Sequence, residues 1–433
     1  MLPASDAGLV RAIGARQLTA SVINVTIGAG IFVLPAVASG GLGAAAPIAY
    51  IVCALLMALI VCCFAAAGSR VSLTGGVYAY VEIAFGPFAG FLAGVLYSLM
   101  ATFAVASVSS AFAGSVGALL PLAASPPARA ILIASLFATL AAINVLGVRP
   151  GVRLVEVATV AKLLPLLILV ASGLWFVDPE ALRWPGMPAV AAVGKTAIVL
   201  IFAFVGLEVA LVPSGEVRDP ARTVPRALFS ALAITTTLYL LIQLVAQGLL
   251  GPAMAGYATA PLAEAARRVL GPGGRLLVLL GAVVSMFGYA SGDMLGSPRT
   301  LFAFARDGVL PSAVARIHPR FHTPYVAIVA HACIVATVSI SSSFTQLAVL
   351  ANVAALTLYL MCVSASYELQ RRDVRAEGGI PFAVPGGVAV PIMAAAVIIW
   401  LLSNATRREF GVEALVLAVA SLFYFIRKTG GQL

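Results

Sequence analysis

Apolar residues run along this chain in long blocks, not in alternation, and glycine, proline or small clusters of charge separate one block from the next. Blocks of that length match the ~20 apolar residues that a helix needs to cross a bilayer. They predict twelve spans, near 18–39, 44–67, 87–120, 129–148, 154–176, 192–212, 226–250, 273–304, 324–343, 345–367, 385–404 and 411–426. The pattern therefore predicts an all-α membrane protein.

Two of these spans are irregular. The first contains Thr26-Ile27-Gly28-Ala29-Gly30-Ile31-Phe32 and then Pro35; the sixth contains Phe202-Ala203-Phe204-Val205-Gly206-Leu207-Glu208 and then Pro213-Ser214-Gly215. Glycine and proline weaken a helix, and lipid offers nothing to the backbone groups a break sets free. The two interrupted spans stand five apart. Interruptions at matching places in two five-helix halves point to an inverted-repeat transporter with its site at the midplane. A glycine-lined packing face is the plainer reading of the first span taken alone. The layout that follows is a tail over 1–17, a first repeat over 18–176, a second over 192–367, two further helices over 385–426 and a tail over 427–433.

Composition agrees with a lipid solvent. Apolar residues make up 62% of the 433 and charged residues 10%, and the mean hydropathy is +1.08, beyond what a water-soluble surface tolerates. The net charge of +10 would suit an anionic partner, but its placement follows the membrane. Of the 26 Lys and Arg, 17 fall in loops on the side of the amino terminus and eight on the other. This is the positive-inside bias, and it predicts both termini in the cytoplasm and no nucleic-acid role. No cleavable leader is expected at the amino terminus. The five cysteines lie in apolar segments without metal-like spacing and read as buried small hydrophobes.

At a broken helix, free N–H groups begin the second half and free carbonyls end the first, which suits the two charges of a zwitterion. A carboxylate would rest on the N–H groups of Ala29, Gly30 and Ile31. An ammonium would meet carbonyls near Thr26 and Ile27 and from Phe202 to Val205, with Gly28 and Gly206 leaving room for backbone to approach a ligand. Charges inside spans are functional candidates by default. Glu208 could titrate, bind a cationic group, gate the path or fix packing. Lys162, mid-span, could stand in for sodium when charged, or snorkel to the interface. Asp293 is the third, a candidate partner for Lys162. Phe202, Phe204 and Tyr97 are candidate pocket walls, Phe204 foremost. The histidines, His318, His322 and His331, lack metal-ligand spacing and no phosphate loop appears, so neither an enzyme, a metal nor a cofactor is expected.

In chain order, Ile27–Pro35, Ser72-Leu73-Thr74-Gly75-Gly76-Val77-Tyr78 with Phe85-Gly86, Phe202–Pro225, Arg299–Pro311 and Pro381–Gly386 resemble the amino acid–polyamine–organocation permeases of bacteria over about residues 18–426. The resemblance implies the leucine-transporter-type 5+5 inverted repeat plus two helices, with amino-acid or amine substrates. In some proton-coupled members a lysine stands where sodium would bind, and Lys162 matches that position. Glu208 matches a glutamate, and Tyr97 a gating tyrosine, of arginine–agmatine-type exchangers. A similar Phe-Val-Gly-Leu-Glu also occurs in neutral amino-acid exporters. The helix-eight tryptophan of the arginine exchangers has no counterpart near Ser291, which weakens an arginine assignment, and Asp293 maps onto nothing in the pattern. The expectation is therefore sodium-independent, proton-coupled transport of amino acids, neutral ones first, in the cytoplasmic (inner) membrane. Exchange of cationic amino acids or diamines, and export, stay open. The partners expected are a small amino acid or amine, the proton and membrane lipid, with the carrier a monomer or homodimer.

Overall fold

The computed structural model describes residues 13–71, 76–147, 152–211, 217–306, 310–375 and 381–429. Its architecture is helical. The first interrupted span is two helices, α1 (Ala15–Thr26) and α2 (Gly30–Leu42), and is followed by α3 (Ala46–Arg70). A short α4 (Val77–Phe85) turns at Gly86, whose φ of 92° only glycine adopts readily, into α5 (Pro87–Leu119). Then come α6 (Pro126–Val145) and α7 (Val152–Gly173). The sixth span is α8 (Val190–Leu200), a 3-10 turn at Ile201–Ala203, a non-helical stretch, and a second 3-10 turn at Leu207–Leu211. After it run α9 (Pro220–Leu250), α10 (Pro261–Arg306), α11 (Tyr325–Ser341), α12 (Phe344–Arg371), α13 (Ala389–Leu402) and α14 (Arg407–Thr429).

Among the described residues, helices or broken pairs lie along the apolar blocks of the sequence. Several differ in extent: α9 begins at Pro220, before the predicted 226, α12 runs to Arg371, past 367, α13 covers Ala389–Leu402 of the predicted 385–404, and α14 runs from Arg407 to Thr429. Within α10 the chain leaves helical geometry at Gly271 (φ 65°), next to the predicted start at 273. A glycine leaves helical geometry at positive φ without steric cost, so the boundary predicted there is a break between two helices. The stretch Ser72–Gly75, the run Val212–Glu216, residues 307–309 and the segment 1–12 lie outside the described residues, as do the side chains of 152–161 and 427–429.

Among the described residues, seven helical segments are long and apolar enough to cross a membrane by length and composition, and four shorter apolar helices accompany them. Large apolar side chains such as Leu55, Ile131, Leu167, Ile392 and Leu415 stay exposed, as a lipid-facing surface requires. This is a multi-pass membrane protein. The interior is built where α12 packs along α5 and α3, and α3 along α9, with α10 against α5 and α7. Of the cysteines, Cys53, Cys63 and Cys362 are buried as expected, but Cys333 is exposed on α11.

Candidate functional site

The two interruptions lie against each other. A Cβ added at Gly30 would stand 3.3 Å from the Cα of Ala203, and one added at Gly206 would stand 3.3 Å from the Cα and N of Thr26. Both are tighter than ordinary van der Waals contact, so these glycines are required by backbone-on-backbone packing. Gly206 also carries a φ of 117°. Gly28 is different: its added Cβ would meet only the Tyr289 ring, at 3.8 Å, and the carbonyl of Val25, at 3.9 Å. Of the three glycines, Gly28 is the one with room for a ligand beside it.

Each break frees carbonyls that lipid cannot satisfy, and side chains from distant helices take them up. Where α1 ends, the Gly28 N–H turns to Thr26 O, at 2.9 Å, and the carbonyl of Asn24 lies at the helix edge. The Lys162 ammonium, on α7 and buried, donates to it. Asn352 on α12 donates through Nδ2 to Ile198 O at 2.7 Å and to Val199 O at 3.2 Å, where α8 tightens into its 3-10 turn. Tyr239 on α9 lies within reach of both breaks, 3.0 Å from Thr26 O and 2.9 Å from Ala203 O. Its one hydroxyl proton serves either carbonyl in turn.

Glu208 is fully enclosed and satisfied: Oε2 accepts from the Tyr359 hydroxyl of α12 at 2.6 Å and from the Gly206 N–H at 2.9 Å. The carboxylate thus ties the sixth span's break to α12. Tyr97 on α5 and Tyr289 on α10 are partly buried and packed against the core, Tyr289 with its ring beside Gly28. Phe204, expected as a pocket wall, is wholly buried edge-on to Tyr239 at 5.4 Å between ring centres, and Phe202 packs on Phe344 at 5.7 Å. They hold the break in shape. At the other break, Ala29 caps α2 and the N–H groups of Ala29, Gly30 and Ile31 begin it. Ile27 is buried. Thr26 is buried too, and its hydroxyl has no protein partner among the described residues. Val205 is half-buried between the two 3-10 turns.

One expected pairing is absent. Asp293 does not meet Lys162; it accepts from Ser297 and pairs with His331 on α11. Tyr239, Asn352, Tyr359 and Tyr289 were not singled out in the sequence. Each is a polar residue inside an apolar span, a signal that separates it from its neighbours without naming its partner. Among the described residues no group of His, Cys, Asp and Glu could hold a metal ion.

Comparison with known proteins gives this geometry a family. The amino acid permease family matches residues 13–406. A methylthioribose transporter of Bacillus subtilis is 28% identical over 96% of this chain and 93% of its own length. A serine/threonine exchanger of the same organism is 28% identical, covering 85% of each chain. Its branched-chain amino acid permease is 26% identical over 92% of this chain and 89% of its own. With a match over most of its length, and with broken helices inside a membrane bundle, the chain belongs to the amino acid permease family, whose members are transporters and not enzymes.

Proposed function

We propose that this permease carries amino acids across the cytoplasmic membrane by alternating access, coupled to protons and independent of sodium, with small and medium neutral amino acids as substrates. The observation that supports this most is the meeting of the two breaks at Gly30–Ala203 and Gly206–Thr26. There the first-turn N–H groups of α2 and the unpaired Thr26 hydroxyl suit a carboxylate. The carbonyls held by Tyr239 are those an ammonium group would compete for. On this reading, Tyr97, Tyr289 and Glu208 border the ligand.

Lys162 supplies the coupling. A lysine charge on the Asn24 carbonyl occupies the kind of position a sodium ion would need and repels one. Loss of its proton removes the charge-assisted bond that fixes α1. The bundle is then a 5+5 inverted repeat over 18–176 and 192–367 with two added helices, twelve crossings in all and both termini in the cytoplasm. The basic loops favour that orientation.

The relatives favour neutral substrates: one is named for serine and threonine, another for branched-chain amino acids, a third for methylthioribose. Exchange is the second reading, on the strength of the serine/threonine exchanger. The test is uptake of a labelled panel of serine, threonine, valine, leucine and arginine into proteoliposomes, with and without an inward proton gradient, for the wild type and Lys162→Ala. Gradient-driven, sodium-independent uptake lost in the variant upholds proton symport. Uptake only into preloaded vesicles, indifferent to the gradient, makes the protein an exchanger and removes Lys162 from coupling.

A further inference from the structure

Away from the breaks, the bundle encloses a second ionisable cluster. Asp293 on α10 and His331 on α11 have side chains only 8% and 2% exposed. Nε2 of His331 lies 2.7 Å from Oδ2 of Asp293, and Oδ1 accepts from the Ser297 hydroxyl at 2.6 Å. A hydrogen bond between two ionisable groups buried this deeply holds together only while their charges balance. An imidazole is the side chain that gains and loses a proton near neutral pH. With one proton between them the two groups are neutral as a pair. Taking up a second proton leaves a net positive charge, and losing the first leaves a net negative one.

The pair is placed to be felt at the substrate region. Tyr289, the ring beside Gly28, lies four residues before Asp293 on the same face of α10, and Ser297 lies four residues after it. Among the described residues of the helices packed against α10 and α11, several polar groups are bonded elsewhere, Arg129 of α6 to the Ser110 hydroxyl among them. Lys162 of α7 is on the Asn24 carbonyl, Tyr239 of α9 is on the breaks, and Asn144 of α6 donates to the carbonyl of Leu140 in its own helix. The segment Gly30–Leu42 of α2 has no ionisable side chain.

We propose that Asp293 and His331 form a proton-binding site distinct from Lys162, which sets the position of Tyr289 one turn away on α10 and so makes substrate handling depend on pH. The effect on transport rests on the amino-acid reading above; the proton site itself does not. His331 is one of three histidines, so His318→Gln with His322→Gln leaves a single imidazole in the full-length protein. Its titration is followed by NMR of the histidine-labelled carrier in lipid nanodiscs from about pH 5 to about pH 9. One protonation step is expected, displaced by about one pH unit or more in Asp293→Asn. In proteoliposomes, uptake of labelled serine, threonine, valine and leucine is measured against pH for His331→Gln, whose amide can still donate to Asp293 but cannot titrate. The midpoint of the wild-type profile is expected to vanish or move by about one pH unit or more while uptake persists. An imidazole that does not titrate overturns the proposal. So does a His331→Gln profile that matches the wild type, since the pair is then a structural link. If no amino acid on the panel is taken up, the transport reading fails and the titration alone decides the proton site.

Discussion

The two breaks meet in space but are finished differently. The first is a gap of three residues between two regular helices, and the carbonyl of Asn24 at its edge is held by an ammonium group. The second is longer and runs through two 3-10 turns; its carbonyls are held by the amide of Asn352, and its carboxylate by Tyr359 and the Gly206 N–H. An amide does not titrate, whereas a lysine does. The second break carries a titratable group too, the Glu208 carboxylate, but it is held by Tyr359 and the Gly206 N–H, whereas the Lys162 ammonium reaches across to the edge of α1. Tyr239 is the member common to both.

The comparison can be broken most severely at Gly206. Valine there must accept a φ of 117° and a Cβ within 3.3 Å of Thr26 backbone. Strain of that kind costs on the order of 1–3 kcal/mol before any clash is relieved, so purified Gly206→Val is expected to melt well below the wild type and to transport nothing. Next in size is Asn352→Leu, which leaves the carbonyls of Ile198 and Val199 buried and unpaired. The expected loss is about 1–3 kcal/mol of stability, and the residual uptake should keep the wild-type pH profile. Lys162→Gln replaces the charge by a neutral donor. Its stability should fall by less than that of Asn352→Leu, while the drive of uptake by an inward proton gradient is lost, and retention of that drive would remove Lys162 from the coupling. Tyr239→Phe removes one proton shared by two carbonyls, an expected cost of about 1 kcal/mol, with both substrate affinity and turnover reduced. The smallest structural effect is expected at Gly28, where alanine meets only Tyr289 at 3.8 Å. Melting of Gly28→Ala should stay within about 0.5 kcal/mol of the wild type, yet uptake should fall, which separates a glycine that faces ligand from the two that pack backbone on backbone.

The sites of both breaks were legible in the sequence, because Gly28-Ala29-Gly30 and Gly206 interrupt otherwise unbroken apolar spans. So were Lys162, Glu208 and Asp293, which stand out in lipid by their charge alone. Their partners were not. Lys162 and Asp293 read as a pair from their place in neighbouring helices, but Lys162 reaches Asn24 and Asp293 reaches His331. The glycines read as places where backbone meets ligand, and two of the three prove to be places where backbone meets backbone. Phe204 read as a wall and is a buried wedge against Tyr239.

The sequence by itself determined that the chain lies in a membrane, where its helices run, where two of them break and which charges are buried, because each follows from the local cost of placing polar groups in hydrocarbon. Only the tertiary structure decided which side chain answers each freed group. Tyr239 lies 213 residues from Thr26, and Tyr359 lies 151 from Glu208. Which face of a helix turns toward a neighbour that distant is set by the packing of the whole bundle, and the order of residues along any one span does not encode it.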